Sequence, residues 1–362
     1  MKLTQAQQAA IDYIEHYAAQ HKEDAQATIQ HLLRMSNVTD DVLHRAVRKL
    51  KEHARIALHF HPDRPSSTMI SIAESLYQEG IYKSQFETLL SNGSVSAYPG
   101  GLRDQWEKQL FGGAYQIEGT TLKERAKYGA LNIMNHPDGP APRFGSCYFL
   151  LKPEVSYRAT FTYLDSHQNP KEKGTYKEFD MILAALFVEI FTRDYALGEP
   201  NLMVSSLIQH LVHKIEMSFE DPVNKQVYRN LNHYIEAQVH GNVSLKEDIE
   251  ILVADPSFIG TNVGDTLSNL CTKYGIQLYY HAGFQSSVDQ VPLNFRGPEM
   301  PSLAKRIAKN QMIDAHLIGE AVMDLTRNPG NWSDRGTRSE VLQELKLLWH
   351  VLVKYGKPYV KK

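Results

Sequence analysis

The first fifty residues carry apolar side chains at helical spacing: Ile11, Ile14 and Tyr17, then Ile29, Leu32 and Leu33, then Val42, Leu43, Val47 and Leu50. Recurrence every three and four residues marks one face of a helix, so residues 3 to 52 read as two or three helices. SNVTDD (36–41) is the break, with Thr39 or Asp40 as N-cap. The period then changes. In ARIALHFHPDR (54–64), Ile56, Leu58 and Phe60 alternate with Ala57, His59 and His61, the period of two of a half-buried strand. Pro62 has no N–H and restricts His61, which ends the strand and places His59, His61, Asp63 and Arg64 at the edge of a sheet. Residues 71 to 85 read as a helix. Asn92-Gly93 and Pro99-Gly100-Gly101 read as turns, and a backbone bend beside a ligand is one use for Gly93.

Four β-rich runs follow: FGGAY (111–115), KYGALNIM (127–134), RFGSCYFLL (143–151) and VSYRATFTYLDSH (155–167). They read as consecutive strands of a mostly antiparallel sheet, interrupted by the loop NHPDGPAP (135–142). Residues 178 to 233 turn helical, with MILAALFVEIF apolar nearly all round and therefore expected to be buried. Strands return at HYIEAQVHG (233–241), DIEILVAD (248–255) and IQLYYHAGF (276–284). Residues 300 to 356 are helical, with Thr337 and Glu340 spaced as a capping box before VLQELKLLWHVL. The expected class is α+β. A helical cap covers 1–53, a core covers 54–298 with a helical insertion at about 178–233, and a helical segment closes the chain at 299–362.

Composition narrows the partners. The chain has 362 residues, 42% of them hydrophobic, enough for a sizeable core. Lys plus Arg number 39 against 41 for Asp plus Glu, so no basic excess points to nucleic acid and an anionic ligand must be met by a local cluster. No run approaches the roughly 20 apolar residues of a membrane span, and the start has no apolar signal region. Manufacture in a cytosol and no membrane partner are expected. Cys147 and Cys271 stand far apart, in no disulfide or zinc spacing.

Three places combine strand character with functional groups. The first is His59, His61 and Arg64. The second is the segment 143 to 167, which supplies Ser146, Tyr148, Thr160, Thr162, Asp165 and Ser166. In the third, alternation puts Glu236, Gln238 and His240 on one strand face, as a site wall or as a solvent-facing edge.

HFHPDR, SNGSVSAYPGG, KYGALNIM, HPDGPAPRFGSCYF, TFTYLDSH, YIEAQVHG, LVADPSF and VPLNFRGPEMP together resemble a bacterial family long described only as a domain of unknown function. That family is identified with the mono-ADP-ribosyltransferase effectors of the Chromobacterium homologous ADP-ribosylating motif group. The resemblance spans roughly residues 50 to 300. It implies a split β-sheet core with an NAD cleft and an Arg, Ser, Glu pattern of site residues. It also implies transfer of ADP-ribose from NAD to a protein, with a threonine of ubiquitin as the family's acceptor, and a toxin made in the bacterial cytoplasm and delivered into a host cytosol. Arg64 matches the family Arg, whose role is to hold the NAD phosphates or nearby ribose in a planar fork. Glu236 matches the catalytic Glu, with Gln238 two residues on. For the serine, Ser166, Ser146 and Ser96 are all candidates, and Thr160 or Thr162 fits about as well. FGSCYF also resembles the His, Tyr, Glu branch of the superfamily, with His59 or His61 as its histidine, and both branches stay open.

The chemistry gives each group a task. Breaking the nicotinamide–ribose bond passes through an oxocarbenium-like centre that a carboxylate stabilises, which is the task of Glu236. Tyr148 or Tyr128 could stack on nicotinamide, and His240 or Glu236 could act as general base. His59 and His61 are expected to line the cleft and to bind no metal. The rival enzyme reading is a metal-dependent hydrolase built on His59 and His61 with His136, Asp165, His167 and His281 as further ligands. The non-enzyme rival is a J-type co-chaperone module, which RKLKEHARIALHFHPDRP resembles.

Overall fold

The computed structural model describes residues 2–66, 69–89, 97–217, 219–223 and 225–360. Gly93 and Ser96 lie outside them. The N-terminal periodicity becomes three helices, α1 (Gln5–Gln20), α2 (Lys22–Met35) and α3 (Asp40–His53). After strand β1 (Arg55–Phe60) comes α4 (Ile72–Glu79), shorter than expected because Gly80 takes the left-handed conformation at φ 68° and ends it. The run FGGAY is no strand. It follows α5 (Leu102–Leu110) as a helix end, with a turn of 3-10 helix at Ala114–Gln116, because Gly112 and Gly113 both have positive φ.

Seven further strands join β1 in one sheet: β2 (Lys127–Asn132), β3 (Cys147–Leu151), β4 (Ala159–Tyr163), β5 (Lys173–Thr175), β6 (Ile235–Val239), β7 (Ile249–Ala254) and β8 (Gln277–Tyr280). Their spatial order is β8-β7-β3-β1-β2-β6-β4-β5. The β7–β8 pair is parallel and the other pairs are antiparallel. Two expectations change here. β2 and β3 are consecutive in the chain but β1 lies between them, and β1 is therefore an interior strand rather than an edge.

Register sorts the side chains onto two faces. His59 pairs with Tyr148, Tyr128 with Gln238 and Gln238 with Thr160, while Glu236 faces Ala130 and Thr162, so all of these lie on one side. On the other side Ile56, Leu58, Phe60, Phe149, Phe161 and Leu252 meet a layer of helices, and Phe60 stacks on Phe149 at 4.8 Å. That layer holds α2, α3, α6 (Asp180–Arg193), α7 (Val204–His213) and α8 (Asn262–Tyr274). Helix α6 is mostly buried as expected, yet Val188 and Phe191 on its outer side are exposed.

The chain ends in α9 (Met300–Ile307), α10 (Ala315–Arg327) and α11 (Arg338–Tyr355). The Thr337/Glu340 capping box forms, with Glu340 N donating to Thr337 Oγ1 at 3.3 Å and Thr337 N to Glu340 Oε2 at 2.7 Å. One apolar cluster runs from Ala25 on α2 through the sheet to Leu352 on α11. Trp349 of α11 is fully buried and donates its Nε1–H to Pro142 O at 2.9 Å, tying the last helix to the loop before β3. The architecture is α+β. Among the described residues no helix is long and apolar enough to cross a membrane.

Candidate active site

The polar face of the sheet is roofed by α5 and α11, and between roof and sheet lies a cavity of about 770 Å³. That volume is in the range that holds a cofactor-sized ligand. Its walls carry Arg64, Arg103, Arg143, Arg338, Lys127 and Lys346 as cations, against Glu107, Asp165, Glu236 and Glu340. An anionic ligand suits such a surface. Trp106, Tyr128 and Phe144 supply aromatic surface beside the charges.

Glu236 sits at the centre of the polar end. It is 6% exposed, on an interior strand, so the solvent-facing edge suggested by its alternation is not what forms. Gln238 Nε2 donates to Glu236 Oε1 at 2.9 Å. Burial, then the charge of Asp165, pushes the Glu236 carboxyl up to about 7, while hydrogen bonds from Ser166 and Gln238 pull the other way. A carboxyl poised near neutrality can serve as charge stabiliser or as base.

Asp165 is the hub beside it. It accepts from Arg143 Nη2 at 2.8 Å and from Tyr234 Oη at 2.9 Å, and it pairs with His167 Nδ1 at 2.7 Å. Burial alone would raise its pKa, but His167 and Arg143 outweigh it and hold Asp165 below the usual range. Arg143 is clamped further by the Phe144 ring at 4.4 Å and by Asn232 Oδ1 at 2.6 Å. Across the cavity Tyr128 donates to Glu107 Oε1 at 2.8 Å, and Arg125 pairs with the other oxygen of Glu107 at 2.8 Å. Lys346 has no such partner among the described residues. Burial, then the charges of Arg143, Arg103 and Arg296, lowers its ammonium to about 8.

The strand end at β1 splits into different roles. His59 Nδ1 donates to Gly145 O and Nε2 accepts from Ala141 N, both at 3.3 Å, so its two nitrogens are spent on the backbone of the 139–145 loop. Burial lowers it to about 3, which keeps it neutral. The methyl of any larger residue at Gly139 (φ 77°) would stand 2.5 Å from His59 Nε2. His61 meets Trp349 edge-on at 5.3 Å, with Ser146 Oγ 3.4 Å from its Nδ1. Arg64 is half-buried on the cavity wall and makes no side-chain hydrogen bond or ion pair with another described residue.

Of the residues singled out from sequence, the cavity brings together His59, His61, Arg64, Arg143, Tyr128, Asp165, Ser166, His167 and Glu236. Tyr148, Ser146, Thr160, Gln238 and His240 stand behind it. Tyr148 is 1% exposed and donates to Pro137 O at 2.9 Å, so Tyr128 and not Tyr148 offers a ring to a ligand. Ser146 is buried behind His61, and Thr160 and Gln238 are fully buried beneath Glu236. His240 is fully buried too, bonded to Tyr115 and Thr160, which removes it as a general base in the cavity. The histidines proposed as metal ligands are engaged elsewhere. His136 donates to Leu197 O at 2.7 Å and His281 to Ser146 O at 3.0 Å. Among the described residues no three His, Cys, Asp or Glu gather as a ligand set.

Sequence reading missed the roof. Arg103, Trp106, Glu107 and Leu110 recur at three and four residues and all line the cavity from α5. That helical stripe was the available signal, in a segment left unassigned between the turn at 99–101 and the run at 111–115. Lys346 and Arg338 likewise share one side of α11, eight residues apart.

Fold and site together define an α+β protein with a deep cationic cleft over a buried Glu–Gln pair. The chain belongs to the family described as protein of unknown function (DUF3626), whose family model matches residues 55–355, from β1 to the last residue of α11. Among curated proteins none matches the chain.

Proposed function

We propose that the cavity binds NAD and that the protein is a mono-ADP-ribosyltransferase acting on a protein acceptor, with the sheet serving as an ADP-ribosyltransferase-like split core around an NAD cleft. The observation that carries this reading is the pairing of two wall groups: a buried carboxylate, Glu236, bonded by Ser166 and Gln238, and a guanidinium, Arg64, with no hydrogen-bond or ion-pair partner among the described residues. Arg64 holds the diphosphate through charge-assisted hydrogen bonds. Tyr128 gives its ring to the nicotinamide, its hydroxyl being fixed on Glu107. The bond from ribose C1′ to the nicotinamide nitrogen breaks with its electron pair leaving on nicotinamide, and the positive charge that develops on the ribose is stabilised by Glu236. An acceptor hydroxyl, that of a threonine of ubiquitin in the family resembled, then bonds to C1′ and gives its proton to the carboxylate. Incubation with labelled NAD and a cell lysate, with and without added ubiquitin, followed by mass spectrometry of labelled bands, tests it. A modified protein whose adduct has the mass of ADP-ribose is expected. Absence of any labelled protein with the folded protein present contradicts the reading.

A further inference from the structure

Behind Glu236 runs a line of buried polar side chains that reaches the far end of the sheet. Tyr115 Oη lies 2.6 Å from His240 Nδ1, and His240 Nε2 lies 3.1 Å from Thr160 Oγ1. Thr160 Oγ1 donates to Gln238 Oε1 at 2.8 Å, and Gln238 Nε2 donates to Glu236 Oε1 at 2.9 Å. Thr160, Gln238 and His240 are fully buried and Tyr115 is 2% exposed, so no water competes for these bonds. Tyr115 is itself anchored: it packs with Ala6, Ala10 and Ile14 of α1, meets Phe111 edge-on at 5.4 Å and stacks on His240 at 6.0 Å.

With Glu236 ionised, only one direction of donation satisfies every link. Gln238 Nε2 also donates to Thr162 Oγ1 at 3.3 Å, and Thr162 spends its own proton on Leu164 O at 3.0 Å. If the Gln238 amide turned over, its oxygen would face both Thr162 Oγ1 and the Glu236 carboxylate, acceptor against acceptor. The amide therefore points its NH₂ at Glu236. Its oxygen then needs the Thr160 proton, Thr160 in turn accepts from His240 Nε2–H, and the bare Nδ1 accepts from the Tyr115 hydroxyl. A neutral imidazole with its proton on Nε2 is what this order requires, and burial with the nearby Lys127 and Arg158 charges keeps His240 neutral.

We propose that Tyr115, His240 and Thr160 are positioning residues that lock the Gln238 amide with its NH₂ against Glu236 and so hold that carboxylate ionised inside a buried site. The inference rests on the reading of Glu236 as the site carboxylate. The groups that face Glu236 from the packed elements are Asp165 and Ser166, which follow β4, Tyr128 on β2, Tyr234 ahead of β6 and Gln238, with Arg143 reaching it only through Asp165. Asp165 opposes ionisation, and no cation is bonded to the carboxylate among the described residues. The oriented amide thus offsets burial together with the hydrogen bonds from Ser166.

The test is the titration of Glu236 itself, followed by ¹³C NMR of the carboxyl carbon in the full-length protein and assigned with the Glu236→Gln variant. Thr160→Val keeps shape and removes the proton that orders the amide. It should raise the midpoint of Glu236 by about one pH unit, the worth of a hydrogen bond to a charged group. Thr160→Ser should restore the wild-type midpoint. Tyr115→Phe, which keeps the ring packing and frees His240 to take either tautomer, should shift it in the same direction by less, and it serves if Thr160→Val does not fold. An unchanged midpoint in both Thr160→Val and Tyr115→Phe overturns the proposal. The readout needs no NAD and no acceptor. Failure of ADP-ribose transfer with a shifted midpoint would therefore refute the function while leaving the relay standing.

Discussion

His59 and Arg64 come from one short run of sequence and stand in opposite relations to the cavity. Both ring nitrogens of His59 are taken by main-chain groups, so it fixes the loop that shapes the wall. Arg64 lines the cavity with no hydrogen-bond or ion-pair partner among the described residues. Arg64→Ala should weaken NAD binding by about 1.5 to 3 kcal/mol, the contribution of charge-assisted hydrogen bonds to phosphate, as read by calorimetry. Equal affinity in the variant would put the phosphates elsewhere. Periodicity correctly placed His59, Glu236 and Gln238 on faces, because a period of two is a property of the strand alone. Whether a face meets ligand or protein depends on what packs over it. The sequence pattern is the same for Glu236 on the wall and for Thr160 and Tyr148 behind it.

At the level of elements, β1 shows why edges were misjudged. Pro62 does end the strand, but strand order is set by pairings between segments far apart in sequence, and Cys147 to Leu150 cover one side of β1 while Ala130 to Asn132 cover the other. The close approach at Gly145 makes this pairing possible. Its backbone is extended, and a Cβ there would lie 2.3 Å from the main-chain nitrogen of Phe60. Backbone cannot yield as a side-chain tip does. Gly145→Ala should therefore destabilise the fold by about 1 to 3 kcal/mol through overpacking and loosen the His59 bond to the loop. A thermal midpoint equal to wild type would show that the loop gives way freely. Helices were legible where an apolar stripe runs long, as in α1 to α3 and α11. Helix α5 was not, because it has nine residues and half of its stripe is charged, turned toward a cavity instead of a core.

In the molecule as a whole, segments that read as cap, core and C-terminal helices share one apolar cluster, and the cavity is built from all parts of the match between residues 55 and 355. The class α+β was legible because helical and strand periods fall in separate runs along the chain. The convergence of α5, α11 and the strand end on Glu236 was not, since tertiary placement leaves no periodic trace. The central claim is that Glu236 cleaves NAD from this wall. Its most direct test is the rate of nicotinamide release from NAD, compared between wild type and Glu236→Gln across about pH 6 to about pH 8. Because the carboxyl is raised to about 7 and acts when ionised, wild-type release should fall as pH drops through that value. The glutamine variant should be slower by about a hundredfold or more with no such limb, the loss typical of removing a group that stabilises transition-state charge. Wild-type protein that releases no nicotinamide, or a variant that releases it at the wild-type rate, would contradict the account.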